Sequence, residues 1–564
     1  MATVRPFPWE KSYPAGVSWD APIKTSNISA LLDGTVAAHG EKPVFDYRER
    51  KILYRELGAM ADRFAAALIK MGLGKGGRIA LYLPNTPFHP IAFFGAMRAG
   101  TTVVHLSALD AERMLVHKLT DSGTRTLVTA NFPGILPMAQ KLLAAGHVDR
   151  LIVGDEAFWG PPPFPAETFT ESGSVIAFMR LLENQALPRE WPAVTADDTA
   201  LMQYTGGTTG LPKAAMLTHG NLTAATAMYH AWYLPQTQSE PGSDRVICVL
   251  PLFHIYALSS VMLNQMGHAS EFLLRTRFDV ETTLRDIEVK RATLFPGVPT
   301  MWIALVSLPG IEKRDLSSLR QCGSGGAPLP VEIAERFERL TGMKLRNGWG
   351  MTETSPAGTG FALDGPNKPG SIGLPLPGIV MQAVAVDDPR RVLAPGEIGE
   401  FRIKGANVFS GYWNRPEETA ASFADGYFLT GDMGYMDEDG YLFLVDRKKD
   451  MIISGGFNVY PGVIEFAIYE HPDVEEVTVI GIPDDYRGEA AKAFVKMRSG
   501  AAPLTLETLQ AFLADKVGRH EMPRELELRD ALPRTPVGKL SKKELVEEER
   551  AKRAKSKVSE AANA

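Results

Sequence analysis

The sequence contains very little cysteine, with only Cys248 and Cys322 in a chain of 564 residues. The two residues stand far apart and lack the short spacings of metal-binding cysteines, which argues against a zinc site. The same scarcity excludes a framework of disulfides, because such frameworks need several closely spaced cysteines. It favours a reducing, cytoplasmic location.

Long apolar runs and a surplus of basic residues are also missing. The most apolar segment, IAFFGAMRAGTTVV (91–104), is interrupted by Arg98 and two glycines, so it is too short to span a membrane. The N-terminal segment MATVRPFPWEKSYPAG carries prolines and charges where a secretory signal has its apolar core. The formal net charge of -6 argues against a general nucleic-acid-binding protein. We therefore expect a soluble protein, and brief contact with a membrane surface stays open.

Short apolar runs alternate with helical patterns along most of the chain. RIALYLPN (78–85) predicts a buried strand, PIAFFGAMRAG (90–100) predicts a helix closed by Gly100, and TTVVHL predicts the next strand. This order is typical of parallel sheets covered by helices on both faces. Because 564 residues exceed one ordinary core, two or more domains are expected.

The pattern changes near Arg447. Glycine-rich hairpin signals in GYMDEDGYLFLVDRKKD (434–450) precede a compact alternation of short strands and helices. The chain then ends in a charged helical pattern. The predicted division is a large domain over residues 1–446 and a small α+β domain over residues 447–564.

The stretch YTGGTTGLPKAAMLTH (204–219) follows a predicted strand and precedes a predicted helix. Its glycines let backbone N–H groups converge on an anion, its threonine hydroxyls add donors, and Lys213 supplies a charge. It is not a Walker A loop, because Leu211 and Pro212 separate Gly210 from Lys213, and an alanine follows the lysine. From these residues alone, a phosphate cradle and a flexible surface loop both stay open.

The stretch resembles the phosphate loop of the adenylate-forming superfamily, which includes acyl- and aryl-CoA synthetases, peptide-synthetase adenylation domains and firefly luciferase. Six further segments match in the family's order: PLFHIY (251–256), GSGGAPLP (323–330), NGWGMTETSP (347–356), YFLTGD (427–432), DRKKDMIISGGFNVYP (446–461) and PRTPVGKL (533–540). The resemblance implies an N-terminal body of parallel sheets, helices and a small distorted β-barrel, followed by a mobile α+β lid. It also implies that ATP and a carboxylate form an acyl-adenylate and pyrophosphate, after which a thiol displaces AMP.

The resemblance assigns catalytic roles within these segments. Lys539 would bridge the attacking carboxylate and the phosphate, Thr352 would contact the α-phosphate, and Glu353 would hold Mg²⁺. His254 would stand at the mouth of the acyl pocket. Taken singly, Lys539 and Glu353 are equally typical of solvated surface residues, and His254 of a core histidine.

Most of the other assigned residues would surround ATP and coenzyme A. They are Thr205, Gly206, Gly207, Thr208, Thr209, Lys213, Gly325, Gly326, Ala327, Asn347, Gly348, Trp349, Asp432, Arg447, Lys449, Gly455 and Gly456. Trp349 would lie on the adenine ring, Asp432 and Arg447 would reach the ribose, and Lys449 would be the hinge of the lid. Gly455 and Gly456 would leave room for the pantetheine arm. Core packing for Trp349, a local turn for Asp432 and the glycines, and a surface charge for Lys449 are the ordinary alternatives.

The acyl pocket would be lined by mostly apolar residues, namely Ile255, Tyr256, Val298, Pro299, Thr300 and Gly325. The segments GVPTMW and NGWGMTETSP are most similar to bacterial fatty acid–CoA ligases of medium-to-long chain preference. The resemblance therefore predicts a long-chain fatty acid–CoA ligase. A dicarboxylate (pimeloyl-type) or aryl acid–CoA ligase, and an acyl-AMP ligase that loads a carrier protein, stay open as alternatives. A nucleotide-binding regulator with an inactive site is disfavoured because the residues that the reaction needs are all present, namely Lys213, Glu353, Asp432, Arg447 and Lys539.

Two further expectations also depend on the resemblance. Homodimers are common in the superfamily, so a homodimer is an open expectation here. The segment from Pro533 to Lys539 resembles those of bacterial ligases silenced by a lysine acetyltransferase, since acetylation would remove the charge of Lys539.

Overall fold

A computed structural model describes residues 5–183, 185–205, 212–237, 239–326, 329–366, 368–454, 457–484, 487–514, 516–518, 521–534 and 540–563. The chain divides into two compact units. The first unit comprises Met1–Met381, Ile403–Phe428 and Asp439–Tyr441, and the second comprises Gln382–Arg402, Leu429–Glu438 and Leu442–Ala564. Among the described residues, none of the helices combines the length and the apolar character needed to cross a membrane.

The strands are numbered in chain order. The first nine are β1 (Pro43–Tyr47), β2 (Arg50–Leu53), β3 (Arg78–Leu81), β4 (Thr102–His105), β5 (Thr126–Ala130), β6 (Arg150–Gly154), β7 (Val175–Ala177), β8 (Thr199–Thr205) and β9 (Lys213–Thr218). The next ten are β10 (Arg245–Cys248), β11 (Glu271–Leu274), β12 (Leu294–Gly297), β13 (Gln321–Ser324), β14 (Arg346–Asn347), β15 (Thr359–Gly360), β16 (Ser371–Pro375), β17 (Val380–Val384), β18 (Gly399–Lys404) and β19 (Gly411–Tyr412). The remaining strands are β20 (Phe423–Ala424), β21 (Tyr427–Met436), β22 (Leu442–Arg447), β23 (Ile452–Ser454), β24 (Phe457–Val459), β25 (Val474–Asp484), β26 (Gly488–Met497) and β27 (Glu525–Leu528).

The helices are numbered in the same way. They are α1 (Ile28–His39), α2 (Tyr54–Lys70), α3 (Phe88–Ala99), α4 (Glu112–Ser122), α5 (Ile135–Ala144), α6 (Phe178–Leu182), α7 (His219–Tyr233), α8 (Asn264–Met266), α9 (Val280–Glu288), α10 (Pro299–Val306), α11 (Val331–Thr341), α12 (Pro416–Ala421), α13 (Pro461–Tyr469), α14 (Leu506–Leu513) and α15 (Lys542–Asn563). A π-helix over Tyr256–Leu263 leads directly into α8.

Two largely parallel sheets form the core of the first unit. One sheet has the order β19-β9-β8-β4-β3-β5-β6-β7, and the other has the order β14-β13-β12-β10-β11-β1-β2. Strand β4 is buried over its whole length, as expected for a strand covered on both faces. The helix predicted after β3 is α3, and Gly100 ends it with φ +72°, a left-handed conformation that glycine adopts readily. The parallel α/β architecture predicted from the alternating pattern is confirmed.

A third sheet contains strands between Thr359 and Arg447 and is curled into a half-barrel. This sheet corresponds to the small distorted β-barrel that the resemblance implied. A fourth sheet belongs to the second unit; in it β26 lies between β25 and β27, and α13 packs on β25. Its apolar core includes Ile464, Val479 and Leu509, all of them fully buried. The small α+β domain is therefore confirmed as a fold, while its boundary after residue 446 stays a prediction.

Candidate active site

The stretch rich in glycine and threonine joins two antiparallel strands of the first unit. Thr205 ends β8 and lies opposite Lys213, which begins β9, and helix α7 follows at His219. The predicted helix is therefore present, but the second half of the stretch is a strand rather than a loop. The glycines and threonines assigned to phosphate, Gly206, Gly207, Thr208 and Thr209, lie outside the described residues, so their role stays a prediction.

Lys213 is held between an aromatic ring and a carboxylate. Its Nζ lies 3.8 Å from the centroid of the Tyr412 ring, which is a close cation–π contact. The same atom lies 3.1 Å from Oε2 of Glu418. Tyr412 belongs to β19 and Glu418 to α12, so the segment 411–421 brings both partners to the start of β9.

Glu353 is a buried acid with 6% of its surface exposed. It lies on a short 3₁₀ turn, Thr352–Thr354, and its Oε1 accepts a hydrogen bond of 2.8 Å from the hydroxyl of Tyr412. Its backbone carbonyl accepts from the amide of Phe409 at 2.8 Å. A buried carboxylate is costly unless hydrogen bonds or a cation stabilise it, so this position is not that of a solvated loop acid. A buried carboxylate oxygen is also a suitable ligand for a hard divalent cation.

Several buried contacts fix the turn that carries Glu353. The Asn407 amide donates to the carbonyls of Thr354 and Ala357 at 2.8 and 2.7 Å. Ser259, on the π-helix, donates to the carbonyl of Ser355 at 2.5 Å. A Cβ at Gly350 would lie 1.5 Å from the Pro356 carbonyl oxygen, so only glycine fits there. The acid therefore stands on a rigid turn.

The carboxyl ends of β13 and β14 bring together the residues predicted to face adenine. Ser324 lies opposite Asn347, and the amide of Gly348 donates to the Ser324 carbonyl at 3.2 Å. Gly326 has φ +79°, which is a conformation that favours glycine. A Cβ at Gly325 would lie 2.9 Å from Cζ of Tyr256, so the absence of a side chain lets that ring approach.

Trp349 is buried and packs against Gly358, where an added Cβ would lie 2.4 Å from Cε3 of the indole. Its amide donates to the hydroxyl of Thr359 at 3.1 Å, and its carbonyl accepts from the Thr359 amide at 3.0 Å. These contacts anchor the tryptophan in the core, and its predicted place against adenine stays a prediction.

The predicted acyl-pocket residues lie around the start of the π-helix. His254 is half-buried, and its Nδ1 accepts a hydrogen bond of 3.3 Å from the amide of Tyr256. Burial raises the pKa of the Tyr256 hydroxyl above its ordinary value, so it stays neutral. Pro299 and Thr300 begin α10 directly after β12. A π-helix in place of an α-helix is frequent at functional sites, although no local sequence signal predicted this one.

In the second unit, Asp432 and Arg447 face each other across β21 and β22. Asp432 is buried, and its Oδ1 lies 2.5 Å from Nε of Arg447, whose side chain is 47% exposed. Lys448 pairs with Glu400 at 2.7 Å, whereas the predicted hinge residue, Lys449, is exposed on the 3₁₀ turn that follows. The two residues predicted to bind ribose are thus neighbours.

The segments flanking the predicted catalytic lysine are anchored within the second unit. Arg534 and Leu540 form an antiparallel bridge, and the Ser541 amide donates to the Pro533 carbonyl at 2.8 Å. Lys542, which the sequence analysis missed, lies 3.1 Å from Oε1 of Glu465. Lys539 itself lies outside the described residues, as do Ala327, Gly455 and Gly456, so their roles stay predictions.

A cavity of about 290 Å³ lies at the opposite edge of the β8 sheet, near Lys75, Arg78 and Trp413. Its residues Thr102 and Thr199 begin β4 and β8, whereas Thr205 ends β8. The cavity therefore contains none of the residues assigned to the reaction. In parallel sheets, ligands bind outside the carboxyl ends of the strands, which is where Thr205, Gly325 and Gly348 lie.

Comparison with known protein families agrees with this geometry. Residues 32–413 match the AMP-binding enzyme family, and residues 463–539 match the AMP-binding enzyme C-terminal domain. The chain belongs to the AMP-binding enzyme family. The superfamily inferred from the sequence segments is thereby confirmed.

Individual members of the AMP-binding enzyme family resemble the chain over nearly its whole length. The long-chain-fatty-acid–CoA ligase of Bacillus subtilis (strain 168) is 38% identical over 96% of this chain and 98% of its own length. The feruloyl-CoA synthase of Amycolatopsis sp. is 36% identical over 88% of this chain and 93% of its own. The crystal structure of ATP-bound MatB from Rhodopseudomonas palustris is 30% identical and has a TM-score of 0.82, covering 92% of this chain and 98% of that chain.

Within the AMP-binding enzyme fold, contacts that are distant in sequence connect the predicted site residues. Tyr412, Glu418, Asn407 and Ser259 hold or contact Lys213 and the turn of Glu353, yet the sequence analysis named none of them. Tyr412 could have been suspected only as an aromatic residue in the glycine-containing segment SGYWN (410–414), which is a weak signal by itself.

Proposed function

We propose that this chain is an AMP-forming acid–thiol ligase that converts a medium- or long-chain fatty acid into its acyl-AMP and then into acyl-CoA, releasing pyrophosphate and AMP. The observation that carries this proposal is the full-length similarity to a long-chain-fatty-acid–CoA ligase. The arrangement of Lys213, Tyr412 and Glu353 beside the phosphate segment supports it. ATP and coenzyme A are the cosubstrates that membership of the family implies.

In the first half-reaction, negative charge develops on phosphate oxygens, so fixed cations and donors lower the barrier. Lys213 would neutralise the β- and γ-phosphates, and Thr205 and Thr352 would add hydroxyl donors. Glu353 would hold Mg²⁺, which supplies positive charge beside the phosphate oxygens. Its burial fits that role, because a rigid carboxylate in a low-dielectric site attracts a cation strongly.

The second unit would contribute the ribose contacts and the acyl-transfer step. The oxygens of Asp432 would accept from ribose hydroxyls, with Arg447 orienting that carboxylate across the β21–β22 pair. Lys539 would stabilise charge as the adenylate forms. Residues 447–564 would then rotate about Lys449, and Gly455 and Gly456 would admit the pantetheine thiol.

A fatty acid is the favoured substrate because the pocket residues near the π-helix are mostly apolar, and because two relatives, at 38% and 35% identity, are long-chain-fatty-acid–CoA ligases. An aryl acid is the second candidate, since a feruloyl-CoA synthase is 36% identical to this chain. A dicarboxylate and a carrier-protein acceptor have no specific observation in their favour.

An ATP–pyrophosphate exchange assay with octanoate, palmitate, pimelate and ferulate tests the proposal. We expect acid-dependent exchange that is highest with the fatty acids, and stoichiometric AMP and thioester once coenzyme A is added. Exchange without thioester would instead identify a carrier-protein loader, and no exchange with any acid would overturn the ligase proposal. A K539A variant, in which the lid lysine is lost, should lose the exchange reaction by about 10²-fold or more.

Three finer expectations accompany the proposal. Acetylation of Lys539 by a lysine acetyltransferase would switch the enzyme off, which mass spectrometry and deacetylase rescue would detect. A homodimer would appear in light scattering at assay concentration. Transient contact with a membrane surface would appear as co-sedimentation with anionic vesicles.

A further inference from the structure

Strand β19 joins the β8–β9 hairpin as an additional antiparallel strand. Tyr412 lies opposite Ala215 in this pairing, and the amide of Trp413 donates to the Ala214 carbonyl at 2.9 Å. The side chain of Tyr412 is thereby brought beside Lys213, the first residue of β9. The segment is distant in sequence from the hairpin it extends.

Tyr412 contacts two charged residues with two different parts of its side chain. The face of its ring lies 3.8 Å from Nζ of Lys213, whereas its hydroxyl donates to Oε1 of Glu353 at 2.8 Å. Tyr412 itself is 6% exposed, so both interactions are formed in a mostly desolvated environment. One side chain thus connects the cation assigned to phosphate with the acid assigned to the metal.

The tyrosine is fixed on its own segment. Its amide donates to the hydroxyl of Thr419 at 2.9 Å, and that hydroxyl donates to the carbonyl of Arg415 at 2.8 Å. Its ring packs edge-on against Phe409, with centroids 4.8 Å apart. Gly411 has φ +135° and would clash with Thr419 if it carried a Cβ. These contacts restrict where the ring and the hydroxyl can point.

We propose that Tyr412 is a positioning residue, one that holds Glu353 in the orientation needed for the divalent cation and Lys213 in the orientation needed for the polyphosphate. The proposal rests on the proposed function, because it takes the ligands of both groups from that function. Hydrogen bonds to a metal-binding side chain orient it, and losing such a partner costs ~10-fold or more in metal affinity. The ring supplies a separate, cation–π contribution to the placement of Lys213.

Two substitutions separate the two contacts. Y412F keeps the ring and removes the hydroxyl, whereas Y412L removes both. We would measure ATP affinity by calorimetry on the full-length protein, once with Mg²⁺ and once with a chelator. The ratio of the two affinities reports the contribution of the cation, and the value in chelator reports the contribution of the side chains alone.

We expect Y412F to reduce the Mg²⁺-dependent gain in ATP affinity by ~10-fold while its affinity in chelator stays at the wild-type value. Y412L should lose the same gain and also bind ATP ~5-fold more weakly in chelator, because the contact with Lys213 is gone. Y47F is the matched control, since the Tyr47 hydroxyl likewise donates to a buried acid, Glu156, at 2.7 Å. It should change neither quantity.

A Y412F protein that keeps the full Mg²⁺-dependent gain would overturn the proposal, and so would an equal loss in Y47F. A wild-type protein whose ATP affinity does not depend on Mg²⁺ would instead contradict the metal role of Glu353, whereas the proposed function itself fails only if no acid supports ATP–pyrophosphate exchange. If Y412L does not fold, the near-isosteric Y412F still decides the outcome.

Discussion

Both units of the molecule contain an acid and a cation assigned to the nucleotide, but the two pairs are built differently. In the second unit, Asp432 and Arg447 are in direct contact at 2.5 Å. In the first unit, Tyr412 lies between Glu353 and Lys213, and among the described residues no ion pair joins these two charges.

The difference corresponds to the ligand assigned to each pair: ribose hydroxyls for Asp432 and Arg447, and the polyphosphate with its divalent cation for Lys213 and Glu353. A direct ion pair neutralises itself, so it suits hydroxyl groups, which need one well-oriented acceptor but no net charge. A polyphosphate and its divalent cation need partners of both signs close together. A neutral aromatic residue contacts both charges without forming an ion pair with either of them, while Lys213 keeps its half-exposed partner Glu418.

The largest effect on the reaction is expected when Glu353 is neutralised, the acid of the pair Glu353 and Lys213, which is called the separated pair below. E353Q should lower acid-dependent ATP–pyrophosphate exchange by about 10²-fold or more, because the carboxylate that would hold the divalent cation is lost. The exchange rate over a series of Mg²⁺ concentrations measures this effect.

The matched control is E156Q, which neutralises a second buried glutamate of the first unit. Its exchange should keep the wild-type dependence on Mg²⁺ even if the protein is less stable. A normal exchange rate in E353Q would show that the separated pair has no role in the reaction.

A smaller effect is expected when the direct pair is broken. D432N should raise the KM for ATP by ~10-fold, because a buried charge-assisted acceptor becomes a weaker, neutral one. The value of kcat should fall less, since ribose contacts are made in the ground state and the transition state alike. Steady-state exchange kinetics over a range of ATP concentrations separate the two constants. A loss confined to kcat would mean that Asp432 acts on the reacting phosphorus instead of the ribose.

Neutralising the carboxylate that pairs directly with Lys213 should affect the reaction less than neutralising Glu353 or Asp432. Glu418 is 42% exposed, and ion pairs at such positions are weakened by solvent. E418Q should change the KM for ATP by only ~2-fold. The change should be larger at low salt, where exposed charges are screened less. If E418Q instead matched the loss in E353Q, Glu418 rather than Tyr412 would be the partner that controls Lys213.

The sequence pattern predicted those features that depend on residues close together in the chain. The strand–helix alternation and the helix end at Gly100 were recognisable in this way. The segment that carries Glu353 was recognisable only by its resemblance to the adenylate-forming superfamily. Tyr412 was not recognisable, because it lies 59 residues from Glu353 and meets it only after the sheet has formed. Asn407 and Ser259, which hold the same turn, were missed for the same reason. Local periodicity contains no information about which distant strand becomes a neighbour.

A third polar pair, in the first unit, sharpens the contrast because it is neutral. The Gln203 amide donates to the Phe253 carbonyl at 3.1 Å, so its oxygen accepts from Nδ1 of His105 at 3.0 Å. Nε2 of His105 is then the acceptor for Nε2 of His89 at 3.1 Å. Burial lowers the pKa of His105 to about 4 and that of His89 well below 6.5. Both rings are therefore neutral in the folded protein.

The smallest effect is expected when the His89–His105 pair is replaced, and it should be an effect on protein stability instead of turnover. In the unfolded chain both histidines bind protons near pH 6.5, whereas in the folded protein they stay neutral at that pH. The pair's contribution to the free energy of unfolding is therefore complete above pH 6.5 and is lost as the pH falls towards 4. The double variant H89Q/H105N cannot titrate at these positions. Its Tm should fall by ~3 °C less than that of the wild type between pH 7 and pH 5.

Thermal melts at matched ionic strength would measure this difference. His219, whose pKa burial also lowers to about 4, remains in the variant, so the pH dependence should shrink without vanishing. An H219N protein provides the complementary control, because it keeps the pair and loses the titration of His219. If the double variant kept the full wild-type slope, the His89–His105 pair would already be protonated in the folded state. In that case the first unit would contain a buried charge beside the segment that carries His254, and the contrast between charged and neutral pairs would fail.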